Sequence, residues 1–128
     1  MAIRVFIVED DRMIIETYCE IFRIYGFEVV GWSYNGEEAI KKFKDLNPRP
    51  DVIIMDHRLP MKNGIETTQD ILKIDPRARV LFVSADITAH LPALANGASG
   101  FLRKPFELKE LVSTIRKLAE KGSPPPPG

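Results

Sequence analysis

The chain has 128 residues, a length that fits one domain, and 45% hydrophobic with 28% charged residues suits a packed core under a charged surface. Eighteen basic and 18 acidic residues cancel, which gives no support for a nucleic-acid or anionic-membrane surface. The single Cys19 excludes an internal disulfide and a thiolate zinc site. Nothing resembles a signal peptide, and no apolar run approaches the roughly 20 residues of a membrane helix, so a cytoplasmic location is the default expectation.

Residues 3–8, Ile-Arg-Val-Phe-Ile-Val, read as a first strand that ends on Glu9, Asp10 and Asp11. Three adjacent acids repel one another unless a cation joins them, although Asp11 also suits a helix N-cap. Residues 12–25 follow a helical period, with Met13, Ile14, Thr17, Tyr18, Ile21, Phe22 and Tyr25 on one stripe and Cys19 beside it. Gly26 stops that helix. Residues 27–32 favour a second strand, with Trp32 as core or half-exposed packing. Asn35 can cap a helix over 37–46 that buries Ala39, Ile40 and Phe43, and Asn47-Pro-Arg-Pro50 ends it.

Val52 to Met55 is an unbroken apolar run, the mark of a strand buried on both faces. It ends on Asp56, where a lone aspartate is ordinarily a turn or capping residue. In an open parallel sheet, however, ligands sit past the carboxyl ends of the strands. Pro60 turns the chain, and Gly64 opens a helix over 65–74 with Ile65, Thr68, Ile71 and Leu72 inward. Asp75-Pro76 breaks it, and a fourth strand over 79–83 ends on Ser84-Ala85. Pro92 interrupts the next segment, so the helix there should be short and begin near it. His90 reads as a loop residue. Gly97-Ala98 leads to a brief fifth strand, 100–103, that ends on Lys104-Pro105-Phe106. The last helix, 108–121, turns Leu108, Leu111, Val112, Ile115 and Leu118 inward. Residues 1–121 then form one domain, and 122–128, Gly-Ser-Pro-Pro-Pro-Pro-Gly, read as a polyproline linker stub outside the core.

Five strand–helix repeats argue for a parallel α/β sheet with helices on both faces. Four of its strands end on polar groups: Glu9-Asp10, Asp56, Ser84 and Lys104. On one sheet edge these converge. Clustered carboxylates suit Mg²⁺, and a hydroxyl with a lysine suits a phosphoryl group.

These residues resemble the receiver domain of response regulators over positions 3–121. The resemblance rests on the acidic pair, the Asp56-x-x-x-Pro60-x-x-x-Gly64 turn, Ser84-Ala85, and Gly97-Ala98 before Phe101-x-x-Lys104-Pro105-Phe106. It implies a flavodoxin-like doubly wound sheet of five strands in the order 2-1-3-4-5. It implies Asp56 as phosphoacceptor and Mg²⁺ as cofactor. Asp10 and Asp56 would bind the ion, Glu9 would act through water, and the Arg58 carbonyl would add a ligand. Lys104 and Ser84 would contact phosphoryl oxygens, Phe101 would be the rotating switch aromatic, and Pro105 would follow a cis bond. The implied partner is a sensor histidine kinase or phosphotransfer protein, with an output partner or downstream domain that the sequence does not name, no nucleic acid or membrane, and a homodimer left open. The domain would be a signalling module that catalyses its own phosphorylation and dephosphorylation, rather than an enzyme acting on other substrates.

The sequence departs from that pattern in places. Ser84 replaces the commoner threonine, Leu59 replaces a methionine, and Phe101 lacks a tyrosine hydroxyl. A haloacid-dehalogenase reading would want a second aspartate where Arg58 stands. A docking domain of the same fold would have lost Asp56, Asp10 or Lys104. His57, next after Asp56, is expected to point away from the pocket. Arg58 and Asp86 are expected to rim the pocket and to pair across its mouth.

Overall fold

A computed structural model describes residues 2–120. The strands are β1 (Arg4–Val8), β2 (Glu28–Ser33), β3 (Val52–Asp56), β4 (Val80–Ser84) and β5 (Gly100–Arg103). The helices are α1 (Arg12–Ile24), α2 (Gly36–Asp45), α3 (Gly64–Ile74), α4 (His90–Ala95) and α5 (Leu108–Glu120). All strand pairings are parallel, in the order β2-β1-β3-β4-β5. This is the doubly wound sheet expected from the alternation of strands and helices. The proline-rich stretch 122–128 lies outside the described residues.

Strand periodicity divides the core in two. Val52 and Ile54 face one side with Val5, Ile7, Leu81 and Val83, where Ile15, Tyr18 and Phe22 of α1 and Leu111 and Ile115 of α5 cover them. Ile53 and Met55 face the other with Phe6, Val8 and Phe82, under Ala39 and Phe43 of α2 and Ile71 of α3. Because β1, β3 and β4 are covered on both faces, their interiors carry continuous apolar runs. Burying each of those side chains contributes about 1.5–3 kcal/mol before chain entropy is counted.

Caps place the helix starts. The Asp11 carboxylate accepts from the Met13 amide at 2.9 Å, and the Asn35 side chain accepts from the Glu38 amide at 2.8 Å. Asn63 and Glu66 form a reciprocal capping box at the start of α3. Two glycines are fixed by close approach. A Cβ on Gly64 would overlap the Asp56 carbonyl oxygen, and one on Gly36 would overlap that of Lys62.

Some expected inward residues are outside. Met13 is 75% exposed and Thr17 and Tyr25 are also exposed, while Ile15 is buried in their stead. Met13 and Thr17, each two residues from Ile15, lie about 160° around the helix from it, and Tyr25 is the C-cap, so the buried stripe runs Ile15, Tyr18, Phe22. Leu108, the first residue of α5, is also exposed, and the buried face of that helix begins one turn later at Leu111. The fourth helix is short, as Pro92 implied. It begins at His90 after a 3-10 turn over Ile87–Ala89, so that Pro92 falls in its first turn, where a missing amide costs little. His90 is therefore a helix residue rather than a loop residue. Its ring stacks on Phe101 with centroids 4.7 Å apart.

Candidate functional site

The carboxyl ends of β1, β3, β4 and β5 bring their terminal polar residues into one pocket. Asp56, the last residue of β3, is buried, with 7% of its surface exposed. Lys104, just past β5, donates from Nζ to Asp56 Oδ1 at 2.9 Å and lies 3.6 Å from Glu9 Oε1. Burial opposes the lysine's charge, but the hydrogen bond and charge of Asp56 together with Glu9 outweigh it and hold its pKa above the ordinary value. Ser84, the last residue of β4, is buried too, and its Oγ accepts from the Asp86 amide at 3.0 Å. Asp56, His57, Arg58, Ser84, Asp86 and Lys104 line a cavity of about 450 Å³. The Lys104–Pro105 bond is cis, as is Asn47–Pro48.

Glu9 and Asp10 divide the acidic corner between inside and outside. Glu9 is 2% exposed and Asp10 is exposed. Burial above all pushes the Glu9 pKa from 4.5 up to about 7. The Asp11 amide, donating to Oε2 at 3.0 Å, works against the rise, while the nearby Asp56 charge and a contact with Asp10 add to it. Its other oxygen, Oε1, is buried and lacks a hydrogen-bond partner. One ligand atom from each of Glu9, Asp10 and Asp56 lies within 4.8 Å of the others. A buried carboxylate oxygen that has an ion pair with Lys104 but no hydrogen bond stands beside two more carboxylates, a donor set that suits a hard divalent cation, so the residues present fit such an ion.

Two expectations fail here. His57 does not point away: Asp56 stands opposite Val83 in the β3–β4 register, so the next residue comes beside Ser84. His57 Nδ1 lies 3.2 Å from Ser84 Oγ, and its ring packs on Phe82 with centroids 5.5 Å apart. Arg58 and Asp86 do rim the pocket, but the expected pair across its mouth does not form among the described residues. Asp86 instead caps the 3-10 turn, accepting from the Thr88 amide at 2.9 Å and from its hydroxyl at 2.5 Å. Those two bonds, more than the Arg58 charge, hold its carboxyl below the usual range. Phe101, on β5, is half-buried and lies 6.1 Å from Phe82, so that Phe82, Phe101 and His90 form a column of rings leading away from the pocket.

A buried aspartate at a strand end, a lysine on it and an acidic cluster beside it, on a 2-1-3-4-5 sheet, define a receiver-type site. The response regulator receiver domain family matches residues 5–116, and the chain belongs to that family. It is 35% identical over 122 residues to the chemotaxis protein CheY of Thermotoga maritima, covering 94% of this chain and all of that one. It is 34% identical to CheY of Bacillus subtilis, covering 91% and 98%. Among solved structures, the response regulator domain of Thermotoga maritima CheB superposes with a TM-score of 0.84 at 33% identity, covering 94% of this chain and 98% of that one. The CheX-CheY-BeF3-Mg²⁺ complex from Borrelia burgdorferi gives 0.84 at 28% identity, covering 90% and 87%. The domain is thus a CheY-like receiver of two-component signalling, a family whose function is to accept a phosphoryl group. Among the described residues no helix is long and apolar enough to cross a membrane.

Proposed function

We propose that Asp56 is the residue that takes the phosphoryl group, from the phosphohistidine of a sensor histidine kinase or phosphotransfer protein. An Asp56 carboxylate oxygen attacks phosphorus in line, the bond to the donor's imidazole nitrogen breaks, and an acyl phosphate results. The observation that carries this reading is the Lys104 ammonium 2.9 Å from the buried Asp56 carboxylate, with the Glu9-Asp10 pair beside it. Such a lysine orients the nucleophile and offsets charge on the arriving phosphoryl oxygens. Ser84 supplies a hydroxyl to another oxygen once the group is in place.

Asp10 and Asp56 would hold Mg²⁺ directly, Glu9 through water, and the Arg58 carbonyl would complete the set. When bound, the ion supplies the positive charge that lets a dianionic group approach three carboxylates. Phe101 moves with the state of the site, by packing alone. Loss of phosphate to water is catalysed in the same pocket, and the domain acts in the cytoplasm on an output partner or attached domain. The similar CheY chain from Borrelia burgdorferi occurs in a complex with BeF3 and Mg²⁺, and that likeness supports the assignment.

The test is incubation with acetyl phosphate and Mg²⁺, followed by intact mass and peptide mapping. One phosphoryl group should appear on residue 56, and Asp56→Asn should abolish it while leaving the fold intact. Full labelling of Asp56→Asn places the acceptor elsewhere. Sustained multiple turnover, with no labelled protein trapped, would favour a phosphatase.

A further inference from the structure

The resting pocket holds a contact that the transfer itself does not use. The His57 ring reaches the Ser84 hydroxyl, with Nδ1 at 3.2 Å from Oγ. Ser84 Oγ already accepts from the Asp86 amide at 3.0 Å. A hydroxyl carries one proton to donate, and the ring tautomer decides whether Nδ1 takes it or itself donates to Oγ; the latch assigns Nδ1 as the acceptor. In the neutral ring that assignment puts the remaining N–H on Nε2. The ring itself is fixed from behind by Phe82, centroids 5.5 Å apart, in a half-buried position.

We infer that His57 is a positioning residue that latches the Ser84 hydroxyl in the resting arrangement and so sets how readily the pocket closes on a phosphoryl group. The inference rests on the reading of Asp56 as acceptor and deepens it. The Ser84 hydroxyl proton that Nδ1 accepts is the one Ser84 would turn toward a phosphoryl oxygen. Closing the pocket therefore exchanges a Ser84–His57 hydrogen bond for a Ser84–phosphoryl one. The bond to an anionic oxygen is the stronger of the two, so closure still proceeds once the group is present. Without it, the latch keeps the hydroxyl, and the strand end that carries it, in the open arrangement. The column Phe82, Phe101, His90 begins at the ring that backs the latch, so release of Ser84 is felt along a line of packed aromatics to α4.

The probe is beryllium trifluoride with Mg²⁺, a stand-in for the phosphoryl group, with affinity read by titration. His57→Phe keeps the ring against Phe82 and removes the nitrogen. It should bind the probe roughly 2- to 10-fold more tightly, the range set by losing one net hydrogen bond from the open state. His57→Asn restores a polar atom at the distance of Nδ1 and should return the affinity close to that of the parent. In a Ser84→Ala background, His57→Phe should change nothing. A second, independent signature is the imidazole nitrogen spectrum of the unphosphorylated protein, where Nδ1 should resonate as an unprotonated acceptor and lose that shift in Ser84→Ala. Equal or weaker binding by His57→Phe overturns the latch, and so does an effect of the same size in the Ser84→Ala background. If the parent chain binds no beryllium trifluoride while Asp56 also takes no phosphate from acetyl phosphate, the acceptor reading fails and the latch with it. If the parent binds and His57→Phe is indistinguishable from it, only the latch fails.

Discussion

From Asp56 into α3 the chain is held at each step. The Gly64 amide donates to the His57 carbonyl at 2.9 Å, the capping box closes the helix start, Thr67 donates its hydroxyl to the Asn63 carbonyl at 2.7 Å, and Lys62 pairs with Asp70. From Ser84 to the 3-10 turn the chain is held through Asp86, whose amide donates to Ser84 Oγ at 3.0 Å and whose carboxylate accepts from the Thr88 amide, but α4 beyond it is held less. The helix has six residues and no side-chain cap, and it buries only Ala93. Ile87, Leu91 and Leu94 are 50%, 75% and 39% exposed. The pocket thus lies between a firm wall that carries the nucleophile and a thin one that carries the hydroxyl. Opening free energies within a fold follow this kind of difference, because segments with few buried apolar contacts open first. The geometry that must not vary, Asp56 against Lys104, sits on the firm side, and the part that must move sits on the thin side.

The most severe way to break this contrast is Gly64→Ala. The new methyl would overlap the Asp56 carbonyl, and relief requires the backbone under the nucleophile to shift. We expect a loss of about 2–4 kcal/mol in urea unfolding together with impaired phosphorylation. A variant as stable as the parent would show that the firm wall yields easily.

Next in size is a change that touches neither wall. Glu9 holds its proton more tightly folded than unfolded, with a pKa raised from 4.5 to about 7. Its contribution to stability is therefore complete below pH 4.5 and is lost as pH rises through 7. Glu9→Gln keeps the acceptor for the Asp11 amide and removes the titration. Relative to the parent it should gain about 1–3 kcal/mol near pH 8 and little below pH 4.5, measured without divalent metal. A pH-independent difference between the two would contradict the burial argument.

The smallest effects give the finest comparison of the two walls. Asn63→Ala removes the α3 cap and should cost about 1 kcal/mol. Leu94→Ala, on the thin side, should change stability by less than about 0.5 kcal/mol. Amide hydrogen exchange should show α4 opening well before α3 in both variants and in the parent. Equal protection of the two helices would erase the distinction.

The positions of Asp56 and Ser84 are legible in the sequence because each ends an apolar run, and that of Lys104 because it ends the short fifth strand, and parallel strands share an edge at which such ends meet. The sheet order needs the resemblance, since periodicity does not say which strands are neighbours. The expectation for His57 fails for a definite reason. Alternation turns its side chain from that of Asp56, but Ser84 stands on the face it turns to, so the ring still meets the pocket. The signal is present nonetheless, because His57 follows Asp56 as Ser84 follows Val83, and those strands pair in register. Met13 escapes the pattern because the apolar stripe is wider than the face that packs, and Leu108 because the stripe does not say where along the helix packing begins. His90 escapes it because Pro92 draws the expected helix start to itself, although proline tolerates any place in a first turn.

The two tight glycines have a consequence for how this chain can change over generations. Gly64 abuts the carbonyl of Asp56, and Gly36, on another helix, abuts the carbonyl of Lys62. The loop from His57 to Asn63 is therefore gauged at both ends, and an inserted residue would unseat both contacts at once. Lineages descending from this sequence should keep that loop at one length and keep both glycines together. The segment from Ala85 to Ala89 has no such glycine contact and is held through Asp86, which leaves its exposed positions Ala85 and Ile87 to diversify. Partners that tell one relative from another would find their distinguishing marks there.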